Sequence, residues 1–138
     1  MADYLIIAPL IVGLVVGIYE FLAFQSSLMG MSGQKFFFFL QAFLFGSAFS
    51  FCSINSSFVI SLFGLSSIPL LGTAIGIQVA SGLIAAALAV LVLFLMNMSS
   101  GGGMMGMGTK VLASLAVFAV IFAAPYFAPF LSGITGGR

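Results

Sequence analysis

The sequence has very few of the charged residues that make a water-soluble surface. Only two acidic and three basic residues occur among 138, which is 4% of the chain, whereas about a quarter is usual in soluble domains. Hydrophobic residues make up 63%. Because so few charges cannot cover a globular protein in water, we expect lipid to surround most of the chain, as in a multi-pass membrane protein.

Histidine is absent and cysteine occurs once, as Cys52. A single cysteine excludes an intramolecular disulfide and a cysteine-based zinc cluster. Without histidine, and without a lysine or buried acid near them, the many serines lack an activating base for nucleophilic catalysis. The net charge of +1 is too small to indicate a nucleic-acid partner. We therefore expect no enzymatic activity, no cofactor and no nucleic-acid binding.

The sequence contains several long apolar segments. Polar or glycine-rich breaks at 25–35, 65–67 and 97–110 separate four of them. About 20 helical residues cross the ~30 Å hydrocarbon core of a bilayer, and nothing in the chain alternates as a barrel strand would. We predict an all-α integral membrane protein that forms a single transmembrane domain over 1–138. Its four predicted transmembrane helices cover about 4–24, 36–64, 68–96 and 111–131.

The start of the chain is predicted to stay in the mature protein. A cleaved signal begins with a basic region, whereas this chain has Asp3 and no base before its first apolar run. At the other end, Pro125 and Pro129 are expected to bend or end the fourth helix, and Tyr126 between them suits a membrane interface.

The two middle segments are longer than a bilayer requires, since at ~1.5 Å per residue each would extend about 43 Å. Either they are tilted or kinked helices with protruding ends, or residues 53–76 form a separate re-entrant or interfacial piece. A long central hairpin folded about Ser66 would place Asn55 opposite Ile77, next to Gln78, so that the two amides lie at about one level. It would also bring Gly46 and Ser47 level with Ala86 and Ala85.

A short polar pattern occurs twice, as "MGMSGQK" at 29–35 and "MGMGTK" at 105–110. Each copy ends in a lysine that begins an apolar segment, so both loops are expected on one membrane face. The preceding helices carry the pairs Gly13–Gly17 and Gly72–Gly76, whose GxxxG spacing permits close helix packing. These features allow two tandem helical hairpins, although a true duplication needs extra residues in the second copy.

The two loops also collect methionine. The side chains in question are Met29, Met31, Met104, Met105 and Met107. Clustered thioethers can hold Cu(I), but methionine is also an adaptable residue of pliable interfaces. With no histidine nearby, we expect this methionine-rich face to serve packing or interfaces and predict no metal site.

The basic residues predict the orientation of the chain. Lys35 and Lys110 lie on the methionine-rich face, whereas Arg138 alone lies on the other. Since basic residues favour the cytoplasmic side, we expect both termini outside.

Four polar residues lie within or beside the predicted spans. Glu20, Gln41, Asn55 and Gln78 are the intramembrane candidates, and an acid in a membrane span is a functional hypothesis by default. Glu20 is only four residues, or about 6 Å, from the end of its helix. We therefore expect a snorkelling or salt-bridged carboxylate at the interface more than a proton site.

The opening "APLIVGLVVGIYEF" and the closing "AAPYFAPFL" resemble the corresponding parts of small, uncharacterised four-helix integral membrane proteins of archaeal genomes. The resemblance implies a compact, retained, multi-spanning membrane protein and brings no activity or ligand with it.

Two classes of function stay open. The first is a non-enzymatic structural membrane protein that self-associates as a ring or filament, or serves as a small subunit of a membrane assembly. It is favoured because the apolar hairpin tip at 58–75 must return into lipid or be covered by other chains. The second is a small channel or carrier with a polar path lined by Gln41, Ser47, Asn55 and Gln78.

Overall fold

The computed structural model describes residues 5–23, 35–99 and 107–135, and every regular element within these ranges is helical. The elements are α1 (Ile7–Ala23), α2 (Lys35–Ile54), α3 (Ser56–Phe63), a 3-10 turn (Leu65–Ser67), α4 (Ala74–Ser99) and α5 (Met107–Ile134). The predicted all-α architecture is thus confirmed for the described residues. By length and composition α2, α4 and α5 are able to span a membrane, whereas α1 is shorter.

The four long helices pack as an up-and-down bundle. Chain neighbours α1 and α2 make the closest pair, followed by α4 and α5, and α2 and α5 also meet across the bundle. We call the end where α1 stops and α2 starts the loop end. The opposite end, which holds α3 and the following turn, is called the tip end. Tandem hairpins are therefore the actual arrangement of the helices.

The predicted helix at 36–64 is two helices, because the chain bends at Asn55. The backbone there has φ −101° and ψ 40°. Helical hydrogen bonds continue on both sides, from the Asn55 N–H to the Phe51 carbonyl (2.9 Å) and from the Val59 N–H to the Asn55 carbonyl (3.0 Å). The 20 residues of α2 rise about 30 Å, which matches one hydrocarbon core. A separate short helix therefore accounts for the excess apolar length.

The predicted helix at 68–96 begins later, at Ala74, because a turn occupies its first residues. Leu70 has φ 76°, in the left-handed region. Thr73 caps α4, since its Oγ1 accepts a hydrogen bond from the Gly76 N–H (3.0 Å) and donates one to the Leu70 carbonyl (2.7 Å). A threonine at this position satisfies one of the free N–H groups of the first turn.

The fourth predicted helix, α5, continues through both prolines. Pro125 and Pro129 lie inside it, and it ends at Ile134, so of the two expected effects, a bend or an end of the helix, the second is wrong. Tyr126 is exposed on its outer face.

Small and branched side chains fill the core. Its central cluster consists of Val12, Val16, Ala85, Val117, Ile121 and Ala124. A smaller cluster at the loop end joins Phe38 of α2 to Ala113 of α5. The small residues let the helix backbones approach closely, as is usual for helix packing in membranes.

Candidate functional site

A partly open cavity of about 20 Å³ lies between the four long helices, all of which contribute side chains to its walls. That volume suits a single water molecule. Its walls are mostly apolar and small, with Ala42 and Gly46 from α2 facing Ala85 and Ala89 from α4. The polar side chains that line it are those of Glu20 and Gln41. We take this central cavity as the candidate site because it joins the bundle's buried acid to an open volume.

Glu20 belongs to the inner wall of the cavity. It is 9% exposed and makes no hydrogen bond or ion pair within the described ranges. The Cα–Cβ bonds of a helix tilt towards its N-terminus, and the N-terminus of α1 is at the tip end. The side chain therefore leans along the helix axis, away from the loop end. The expected snorkelling or salt-bridged Glu20 is not found within the described residues, where the side chain is buried and has no ion pair.

Among the described residues, Lys110 is the second buried residue that carries an ionisable charge, whereas the sequence predicts only that it begins an apolar helix. It is 6% exposed in the first turn of α5 and lies on the same face as the buried Ser114, Val117 and Ile121. The signal available in the sequence was this spacing of three, four and seven residues along one helix face. No ion pair joins it to Glu20 in the described part of the chain.

The directions of the two helices explain why Lys110 and Glu20 remain apart. The Tyr19 hydroxyl donates a hydrogen bond to the Ala113 carbonyl (3.3 Å), so α1 near its end is level with the start of α5. The two helices run in opposite directions. Since each side chain leans towards its own N-terminus, Lys110 leans to the loop end while Glu20 leans to the centre.

The polar residues proposed as a pore lining are not brought together. Gln41 is exposed and forms the outer part of the cavity wall. Asn55 is buried at the tip end, where its amide pairs with the Leu5 backbone: it accepts from the Leu5 N–H (2.8 Å) and donates to the Leu5 carbonyl (2.9 Å). Gln78 is buried, and its Oε1 has no partner among the described residues. The amides of Asn55 and Gln78 thus do not pair, contrary to what the folded-hairpin register suggested.

The two GxxxG pairs lie in different structural environments. A Cβ at Gly13 would collide with the backbone and hydroxyl of Ser47, and one at Gly17 would lie 3.3 Å from Phe43. The first pair is therefore the contact surface between α1 and α2. Gly72 lies in the turn before α4, with the Ser66 carbonyl 2.9 Å from its added Cβ.

Gly76 of the second pair lies in the first turn of α4, where an added Cβ would meet the Leu70 carbonyl. Gly72 and Gly76 therefore permit a tight turn and do not join two helices. The proline that precedes each GxxxG pair also differs in position, since Pro9 lies within α1 whereas Pro69 lies before α4.

A buried hydrogen bond that sequence reasoning missed connects α2 with α5. The Ser53 hydroxyl donates to the Ile121 carbonyl (2.8 Å). That carbonyl would normally accept from the N–H four residues later, but this residue is Pro125, which has none. Ser53 therefore satisfies the group that the proline leaves free. The only signal of this hydrogen bond in the sequence is a proline in one predicted helix together with a serine on the inner face of another.

The methionine-rich face lies almost entirely outside the described residues. Met29, Met31, Met104 and Met105 fall in the ranges that the structure does not describe, and Met107 begins α5. The hypothesis of a pliable methionine interface thus stays a prediction.

A larger concavity of about 460 Å³ lies between α1 and α5. Its walls are apolar, with Ile11 and Val15 on one side and Ala119, Ala123 and Phe127 on the other. Without a polar group it can accept hydrocarbon but provides no chemistry, so the central cavity remains the candidate site. Comparison with protein-family models, with curated proteins and with solved structures finds no match for this chain.

Proposed function

We propose that the chain is a non-enzymatic, structural membrane protein with four membrane-spanning helices, which associates with further copies of itself through the tip end. The observation that carries the proposal is the conformation of Leu70. A left-handed backbone costs a non-glycine residue about 1–2 kcal/mol, and Leu70 adopts it while its side chain is 73% exposed. Because the Leu70 side chain is exposed in the single chain, its burial does not offset this strain.

Leu70 is part of a larger apolar surface. Leu62, Phe63 and Ile68 are also exposed, and we call these four residues the tip patch. The segment 56–75 contains no charged residue. An uncharged apolar surface is complementary to a second copy of itself, and a strained residue kept on it is typical of a functional contact. Lipid is the alternative cover for the tip patch.

The position of the tip patch favours copies of the chain over lipid. The α2 helix has the length of one hydrocarbon core, so α3 and the turn after it extend beyond that core. The exposed Ser57, Ser61, Ser66 and Ser67 accompany the apolar side chains. A mixed surface of this kind suits a protein contact at the membrane boundary better than a position among acyl chains.

The test is cross-linking in native membranes, on a Cys52→Ala background with one new cysteine at Leu62. The matched control is a cysteine at Leu83, which is similarly exposed (57% against 62%) but lies within the α4 span. We expect intermolecular cross-links from position 62 and far fewer from position 83. A monomeric particle by mass, whose position 62 reacts with a water-soluble thiol reagent, would contradict the proposal.

Leu70→Gly separates assembly from folding. Glycine adopts the left-handed region without strain, so the monomer should keep or gain thermal stability while the cross-linked fraction falls. Equal cross-linking in Leu70→Gly and in the parent would show that the tip patch does not hold the copies together.

A further inference from the structure

The central cavity presents an acid, Glu20, that has no ion-pair partner among the residues that the structure describes. Glu20 is more than nine-tenths buried and faces a volume that suits one water molecule. An ionised carboxylate in such surroundings is strongly disfavoured unless it has a partner. The group must therefore bind a proton, bind a metal cation or form an ion pair.

An ion pair is disfavoured by the geometry of the loop end. The charged residues that the neighbouring helices α2 and α5 carry are Lys35 at the start of α2 and Lys110 in the first turn of α5, and Lys110 leans towards the loop end, away from Glu20. Residues 74–99 of α4 include none. Neither lysine forms an ion pair with Glu20 in the described ranges. The Tyr19 hydroxyl, from α1 itself, is directed to the Ala113 carbonyl.

A metal cation is disfavoured by the set of available oxygen atoms. Glu20 and Gln41 offer three side-chain oxygens at most, and the remaining walls, such as Phe38, Ala89 and Val92, are apolar. Hard cations such as Ca²⁺ and Mg²⁺ require about six oxygen ligands. A carboxylic acid needs far fewer partners, because one donor and one acceptor satisfy it.

We propose that Glu20 is a reversible proton-binding site, held at neutral pH as a carboxylic acid that one water molecule in the central cavity links to the amide of Gln41. In the binding step, a proton from water adds to a carboxylate oxygen, and it returns to water on release. The site is independent of the tip patch, which lies at the other end of the bundle. A buried proton site gives this bundle a group that responds to the proton concentration outside it.

The test is infrared difference spectroscopy of the full chain in lipid nanodiscs. Glu20 is the only glutamate in the sequence, so ¹³C-labelled glutamate assigns its band without any substitution. At neutral pH we expect a carboxylic C=O band that shifts with the label and converts to a carboxylate band as the pH is raised. A labelled band that is already carboxylate at neutral pH would overturn the proposal.

Substitutions and salts complete the test. The carboxylic band should disappear in Glu20→Gln and persist in the control Asp3→Asn, which removes the other acid of the chain. In Gln41→Leu the band should move to higher frequency, since the carbonyl loses a hydrogen-bonded neighbour. Replacing NaCl by KCl or CaCl₂ should leave the titration midpoint unchanged, and a midpoint that moves with the cation would establish a metal site instead.

Discussion

Asn55 and Gln78 are both buried amides, but Asn55 has both polar atoms paired, whereas Oε1 of Gln78 has no partner among the described residues. We expect Asn55→Leu to destabilise the fold by about 1–3 kcal/mol, because the N–H and carbonyl of Leu5 lose their partners. Gln78→Leu should be neutral or stabilising, since it removes an oxygen without a partner among the described residues. Thermal unfolding of both variants in the same detergent is the measurement. Equal losses would contradict this difference.

Sequence reasoning identified the polar residues that matter but not their surroundings. Glu20 was placed at the interface from its distance to the helix end, a measure that ignores the backward tilt of helical side chains. The sequence predicts Lys110 at the start of a helix but not its burial, since burial depends on which helix covers it. Asn55 was matched to Gln78 by sequence register, whereas its actual partner Leu5 is 50 positions away. Such pairings depend on the packing of whole helices.

At the scale of helices, the hydrogen bond from the Ser53 hydroxyl to the Ile121 carbonyl connects α2 with α5. It is made to the carbonyl that Pro125 leaves without its usual donor. Ser53→Ala should cost about 1–3 kcal/mol, because the Ile121 carbonyl becomes a buried acceptor without a donor. In a Pro125→Ala background the residue at 125 has its own N–H for this carbonyl, so the same substitution should cost less. We expect a coupling free energy of about 0.5–3 kcal/mol from the double-mutant cycle.

Ser50→Ala is the control for this cycle. Ser50 is buried on the same helix, and its hydroxyl has no partner in the described part of the chain, so its loss should leave stability nearly unchanged in both backgrounds. Additive effects of Ser53→Ala and Pro125→Ala would show that the serine does not serve the proline.

The existence of the helices followed from the sequence, but several of their ends did not. Apolar runs of sufficient length predict helices in lipid because backbone groups must pair internally. The bend at Asn55 is accompanied by side-chain hydrogen bonds to Leu5, which precedes α1, and the late start of α4 by the Thr73 cap and a left-handed Leu70. Within α5, Ser53 supplies the donor that Pro125 lacks. Each of these boundaries is set by a contact that local composition does not encode.

At the scale of the whole molecule, α1 decides the topology. Its 17 residues rise about 25 Å, slightly less than one hydrocarbon core. If α1 spans, four crossings place both termini on the same side of the membrane, and if it does not, the termini lie on opposite sides. We expect the same side, since the tip end holds Leu5 next to Asn55. Reporter fusions at each terminus measure this directly, and opposite locations would leave three spans.

The bond between Ser53 and Ile121 also has a consequence for the order of synthesis. A ribosome completes α2 well before Pro125 is made, so the Ser53 hydroxyl must first find an acceptor within its own helix, such as the Phe49 carbonyl one turn back. Conversely, α5 enters the bilayer with a carbonyl that its own helix cannot pair. The helix α5 therefore depends on a donor that is synthesised earlier, the Ser53 hydroxyl of α2. A chain that ends before α5 has no such unpaired carbonyl.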